Sequence, residues 1–131
     1  NGAKVPYLDG TFHIINFMEV IEHIPFENID AVLNELYRVL AEDGVLLITT
    51  PNYPIKRFYD VYAAISLGKK ERWHDDPTHV SLYNHYKLRN KLKTFFNKIT
   101  PRTFKDGFLY KYIPYKFFKH KIFFLCSFKN K

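Results

Sequence analysis

From Phe12 to Met18 the chain carries an apolar run of strand length, interrupted only by His13 and Asn16 and bounded by Asp9 and Gly10 before it and Glu19 after it. Such a run predicts a strand buried on both faces of a sheet. From Ile29 the apolar residues Val32, Leu33, Leu36 and Leu40 recur at three- and four-residue steps, the period of a helix that faces a core. Asn28 is placed to cap its start and Gly44 to end it in a left-handed turn, so the spacing predicts a helix over 29–41. Val45 to Thr50 is continuous, rich in branched residues and closed by Pro51, which predicts a second buried strand. Strand, helix, strand in that order implies a right-handed parallel crossover, and hence an α/β sheet with residues 12–18 and 45–50 as parallel neighbours.

Beyond Asn52 the pattern loosens. Ile55 to Leu67, with Phe58, Tyr59, Tyr62 and Ile65 apolar at helical steps, predicts a helix ended by Gly68. Lys69 to Tyr83 reads as a polar loop holding Trp73, His74, Asp75, Asp76 and His79, and that content suits a binding loop. Asn84 can cap a further helix whose buried stripe would be Leu88, Leu92, Phe95 and Phe96. A last strand is expected over Ile122 to Phe128 and a weaker one near Ile99 to Phe104.

At 131 residues the chain holds at most one ordinary domain. No apolar run approaches the length of a membrane span. There is no charged-then-apolar leader and no initial methionine, which suggests a segment of a longer chain. The single cysteine, Cys126, lies inside the last apolar strand, where it reads as a small buried hydrophobe; a lone cysteine points to a reducing, cytoplasmic setting. The formal charge of +7 is unevenly spread. Residues 1–86 carry 7 basic and 12 acidic side chains, whereas residues 87–131 carry 13 basic ones and only Asp106 as an acid. Such a split fits an anionic partner, or a lysine- and phenylalanine-rich composition of genomic origin.

The ordered segments carry a resemblance. Asn1 to Phe12 resembles the Asp-Ala-x-x-Leu-Pro-x-x-Asp-x-x-Phe stretch that leads into strand four of class I S-adenosylmethionine-dependent methyltransferases. Phe17-Met-Glu-Val-Ile-Glu-His-Ile24 resembles the segment after that strand, and Tyr37 to Asn52 the next helix and the fifth strand with its trailing Pro-Asn. The second of these is most similar to the Met-Glu-x-Leu-Glu-His-Val run of the ubiquinone-biosynthesis O-methyltransferases. The resemblance is strong over residues 1–52 and weaker over 80–96. It implies a partial Rossmann-like sheet, strands four to seven with flanking helices, with residues 1–131 as the C-terminal part of one methyltransferase domain. The first half, with the glycine-rich cofactor loop and the ribose-binding acid, is missing from this reading.

The same resemblance implies the chemistry. Asn1, Met18 and Glu19 would contact S-adenosylmethionine, with Asn1 standing where the family often has an Asp near the adenine. Glu22 and His23 would be catalytic. Helical spacing from Glu19 would bring Glu22 and His23 to one face, and two carboxylates with an imidazole suit Mg²⁺, Mn²⁺ or Zn²⁺. Small-RNA 2′-O-methyltransferases complete a similar Glu-x-x-Glu-His site with a loop histidine, for which His79 is the first counterpart here and His74 the second. The metal set would then be Glu19, Glu22, His23 and His79. A plainer alternative has Glu19 touching the cofactor, Glu22 capping a turn, and His23 and His79 packing structurally. Trp73, Tyr83 and Tyr86 would form a substrate wall or a lid packed on the core. Interleaved cations and aromatics over 111–124 suit RNA or an anionic surface, or a strand with lysines on its solvent edge.

The expected function is O-methyl transfer to a small-molecule or glycan hydroxyl. The rivals are a non-catalytic remnant or partner-binding module, and an RNA 2′-O-methyltransferase or RNA-binding fragment. The expected partners are the acceptor and either the missing N-terminal half or a second copy. Nucleic acid ranks lower.

Overall fold

The computed structural model describes residues 4–102 and 121–127. The chain runs β1 (Phe12–Met18), α1 (Ile29–Val39), β2 (Leu40–Pro51), α2 (Ile55–Ser66), α3 (His85–Leu92), β3 (Lys98–Pro101) and β4 (Lys121–Ser127), with short 3₁₀ turns at Ile21–His23, Phe26–Asn28 and Lys70–Arg72. The four strands form one sheet in the order β1-β2-β4-β3. β1 and β2 are parallel, with Ile14 opposite Val45 and Met18 opposite Thr49, and α1 is the crossover between them as the periodicity predicts. β4 is antiparallel to both β2 and β3. This is a mixed α/β sheet, in keeping with the expected partial Rossmann-like fold. None of the described helices is long and apolar enough to cross a membrane.

Both faces of β1 and β2 are not equally covered, contrary to the expectation of two fully buried strands. Leu46, Ile48, Ile122, Phe124 and Cys126 point into a core shared with Ile29 and Leu33 of α1, Leu88 and Leu92 of α3, and Phe96. On the other face Ile14 is 66% and Met18 42% exposed, and Val45 and Leu47 are only partly covered. Both α1 and α3 lie on one side, so alternation along each strand puts every second residue outside the core.

Three local expectations are corrected. Asn28 precedes α1 but its side chain makes no capping bond, because the preceding residues already coil into a 3₁₀ turn. Gly44 does not end a helix: α1 stops at Val39, Leu40 is extended, and Gly44 lies in a bulge of β2 between Leu40 and Val45. A side chain at Gly44 would sit 2.9 Å from both the Ala41 carbonyl and the Leu40 side chain, so close approach rather than helix termination requires glycine there. In α2 the stripe of Phe58, Tyr59, Tyr62 and Ile65 is exposed while Ala63 and Ala64 are buried, because the helix rests on its small residues. Gly68 follows α2 with φ +65° as expected, and Asn84 caps α3 through a bond from the Lys87 N–H at 2.8 Å. The expected strand ends at Phe104 and Phe128, most of the interleaved segment 111–124, and Asn1 fall outside the described residues.

Candidate functional site

β1 ends at Met18, and Glu19 adopts φ +53°, a left-handed conformation that breaks the strand before the Ile21–His23 turn. Glu19 therefore does not begin a helical turn, and the spacing that would align it with Glu22 and His23 does not operate. Its carboxylate instead accepts from Thr49 Oγ1 at 2.8 Å and pairs with Lys121 Nζ at 3.0 Å. Glu22 accepts from Thr50 Oγ1 at 2.9 Å. Neighbouring residues of a strand point to opposite faces, so Thr49 and Thr50 hold the two carboxylates on opposite sides of the sheet. Met18, in register with Thr49, shares the side of Glu19. The expectation that Glu19 joins the other three as a metal ligand is corrected on this geometry.

Glu22, His23 and His79 do come together. One carboxylate oxygen and one nitrogen from each ring lie within 4.8 Å of one another, and the ring centres are 4.9 Å apart. The loop after α2 is tied to the turn that carries Glu22. The Ser81 N–H donates to the Glu22 carbonyl at 2.9 Å, the Tyr53 N–H to the Tyr83 carbonyl at 2.8 Å, and Ser81 Oγ to the Ile24 carbonyl at 2.5 Å. Within the loop Asp76 accepts from the Thr78 N–H and hydroxyl, a local turn that sets up His79. Hydrogen bonds from Thr78 also hold the Asp76 carboxyl below its ordinary range. Glu22 is 1% exposed, and a buried carboxylate is costly unless it is neutralised or coordinates a cation. One carboxylate and two imidazoles fit a zinc- or manganese-like ion by donor chemistry. His74 is exposed in the same loop and is not in the cluster.

The cluster sits at the carboxyl ends of β1 and β2, the end at which open α/β sheets hold their ligands. The sequence model of a methyltransferase domain family matches residues 2–95. The chain belongs to this methyltransferase domain family. Its fold is similar to that of a SAM-dependent methyltransferase from Thermotoga maritima, described as a possible histamine N-methyltransferase, with TM-score 0.67 and 13% identity over 97% of this chain and 61% of that one. A SAM-dependent methyltransferase from Archaeoglobus fulgidus gives 0.63 and 15% over 90% of this chain and 60% of that one. The small RNA methyltransferase HEN1 gives 0.60 and 11% over 93% and 14% respectively. This methyltransferase domain thus spans no more than 61% of any of these three chains. A comparison with curated proteins gives no match.

Sequence reasoning missed the groups that hold the methyltransferase domain's cluster in place. Thr49 and Thr50 read as strand residues, and Tyr53 carries no signal of its own. Tyr53 is 8% exposed; its hydroxyl donates to Asp75 Oδ1 at 2.7 Å and meets His79 Nδ1 at 2.9 Å. Lys56 Nζ lies 2.9 Å from both Asp75 and Asp60. The signal available in the sequence was the Asp75, Asp76, His79 content of the loop, without its partners on α2. Of the three aromatics expected as a substrate wall or a lid on the core, Tyr83 is buried in the core, while Trp73 and Tyr86 are half exposed.

Proposed function

We propose that this methyltransferase domain serves S-adenosylmethionine-dependent O-methylation of a small-molecule or glycan hydroxyl, in the manner of the ubiquinone-biosynthesis branch whose Glu-x-x-Glu-His run it resembles. The observation that carries this is the meeting of Glu22, His23 and His79 at the carboxyl end of β1, on the side of the sheet opposite Glu19 and Met18. Glu19 and Met18 would face the cofactor, together with Asn1 from outside the described residues. Glu22, His23 and His79 would receive the acceptor hydroxyl at the strand ends, where the two sides of the sheet meet, and, without a bound cation, take its proton as the oxygen attacks. The cofactor supplies a methyl group on a sulfonium centre; in the alternative arrangement a divalent cation held by Glu22, His23 and His79 would polarise the hydroxyl, whose proton would then leave to solvent water.

The test is transfer of labelled methyl from S-adenosylmethionine to catechol and glycan acceptors, in a protein carrying this domain with its complete cofactor loop. Glu22→Gln is expected to slow transfer by about 10²-fold or more with cofactor affinity nearly unchanged. Glu19→Gln is expected to act mainly on cofactor affinity. Unchanged turnover in Glu22→Gln, with no effect of chelator, returns the cluster to a structural role.

A second reading, RNA 2′-O-methylation, is favoured by the likeness to the small RNA methyltransferase HEN1 and by the 13 basic side chains over residues 87–131. Retention on RNA that falls steeply with salt would support it. For a partner, β1 is paired on one side only among the described residues, and a free strand edge of this kind would accept a strand from a preceding segment or a second copy.

A further inference from the structure

His79 and His23 each have one ring nitrogen already committed. His23 Nδ1 lies 3.1 Å from the Thr78 carbonyl, which can only accept, so this nitrogen must carry the proton. His79 Nδ1 lies 2.9 Å from the Tyr53 hydroxyl, a group that can donate or accept. What decides its role is the third group. The Tyr53 hydroxyl proton is directed at Asp75 Oδ1 at 2.7 Å, and Asp75 is held as an acceptor by Lys56 Nζ at 2.9 Å and by the Asp76 N–H at 3.0 Å. Burial pushes the Asp75 carboxyl up, but the bonds from Lys56, Tyr53 and Asp76 outweigh it and keep the group below its ordinary range. A phenol has one proton. With that proton given to Asp75, the Tyr53 oxygen has only lone pairs to offer, and His79 Nδ1 must be the donor.

We propose that Tyr53, backed by Asp75 and Lys56, is a positioning residue that fixes His79 in the Nδ1–H tautomer, leaving the Nε2 lone pair of the neutral ring for the acceptor proton or a cation. The inference rests on reading Glu22, His23 and His79 as the functional cluster, and it adds the device that readies one member. The Thr78 carbonyl does the same for His23, so both rings are set by groups of one continuous stretch, Tyr53 to His79. Asp76 Oδ2 is 3.8 Å from His79 Nε2, beyond hydrogen-bond reach, and so leaves that nitrogen uncommitted among the described residues.

Nitrogen-15 imidazole spectra of the full chain, recorded at about pH 8 where an ordinary histidine is neutral, read the tautomer directly. The wild-type His79 is expected to show a protonated Nδ1 and a bare Nε2. In Tyr53→Phe the ring loses its acceptor and should become a tautomer mixture. In Asp75→Asn the new amide can donate to the Tyr53 oxygen, turning the phenol proton toward His79 and shifting the population toward Nε2–H. Zinc ion alone, titrated into the same proteins, should bind about 10- to 100-fold more weakly to Tyr53→Phe than to wild type, the usual cost of losing such a supporting bond. A wild-type His79 protonated at Nε2, or an unchanged Nδ1–H signature in both variants, overturns the proposal. If zinc fails to bind wild type while the tautomer changes occur, the positioning role stands and only the metal part of the functional reading falls. Should Tyr53→Phe not fold, Asp75→Asn alone decides the tautomer.

Discussion

Two sides of the sheet meet at the end of β2, and they differ in nearly every respect. On one side Thr50, Glu22, Leu46 and Ile48 are almost wholly buried against α1 and α3. On the other, Glu19, Met18 and Lys121 are substantially open to solvent, and the Glu19–Lys121 pair, at that exposure, contributes little to stability. Two glutamates three positions apart thus live in different environments because a strand, not a helix, precedes them and the first, Glu19, is itself left-handed. The lesson is that spacing assigns side chains to a common face only after the local backbone period is known.

The sharpest way to break the contrast is truncation on each side. Leu46→Ala removes a core side chain and is expected to cost about 2–5 kcal/mol. Leu47→Ala, on the partly covered side, should cost about 1 kcal/mol or less. Chemical unfolding of both variants measures this, and equal losses would mean that the open face is covered in solution.

A smaller, pH-dependent effect follows from the buried neutral acids. Burial pushes the Cys126 thiol up to about 12. Tyr53, through burial and its bond to Asp75, is also pushed up to about 12. Tyr83 reaches about 12 through burial and the nearby Asp30 and Glu22. Each group is neutral in the folded state and ionises more readily when unfolded, so its contribution is complete below the unfolded value and is lost as pH rises toward the folded one. The urea midpoint should therefore fall between about pH 9 and 12, and Cys126→Ala should flatten part of that fall. A midpoint constant through the window would contradict the burial of all three.

The smallest effect separates two tyrosines. The Tyr83 hydroxyl is buried without a hydrogen-bond partner among the described residues, so Tyr83→Phe should be neutral or stabilising by about 1 kcal/mol. Tyr53→Phe, which loses two bonds, should destabilise by about 1–3 kcal/mol. Thermal unfolding of the pair orders them, and the reverse order would show that Tyr83 has a partner in solution.

How much of this was legible in the sequence follows the same division. The parallel pair 12–18 and 45–50 and its crossover helix were readable because apolar runs and helical period are local signals, and so was the Asn84 cap. The meeting of Glu22 and His23 with His79 followed from the family resemblance; no spacing rule brings residue 79 to residue 23. What the sequence hid were relations across the fold. The separation of Glu19 from Glu22 depends on one left-handed residue and on two adjacent threonines of another strand. The exposure of Phe58, Tyr62 and Ile65 depends on α2 packing through Ala63 and Ala64, which amphipathic period cannot distinguish from packing through the large residues.

The central claim, that Glu22, His23 and His79 form one site from which Glu19 is excluded, is tested most directly by calorimetric titration of a divalent ion. Zinc or manganese would be added to wild type, Glu19→Gln, Glu22→Gln and His79→Ala. One equivalent is expected to bind with equal affinity to wild type and Glu19→Gln, and at least tenfold more weakly to Glu22→Gln and His79→Ala. Loss of binding in Glu19→Gln as large as in Glu22→Gln, or affinity indifferent to all three substitutions, would contradict it.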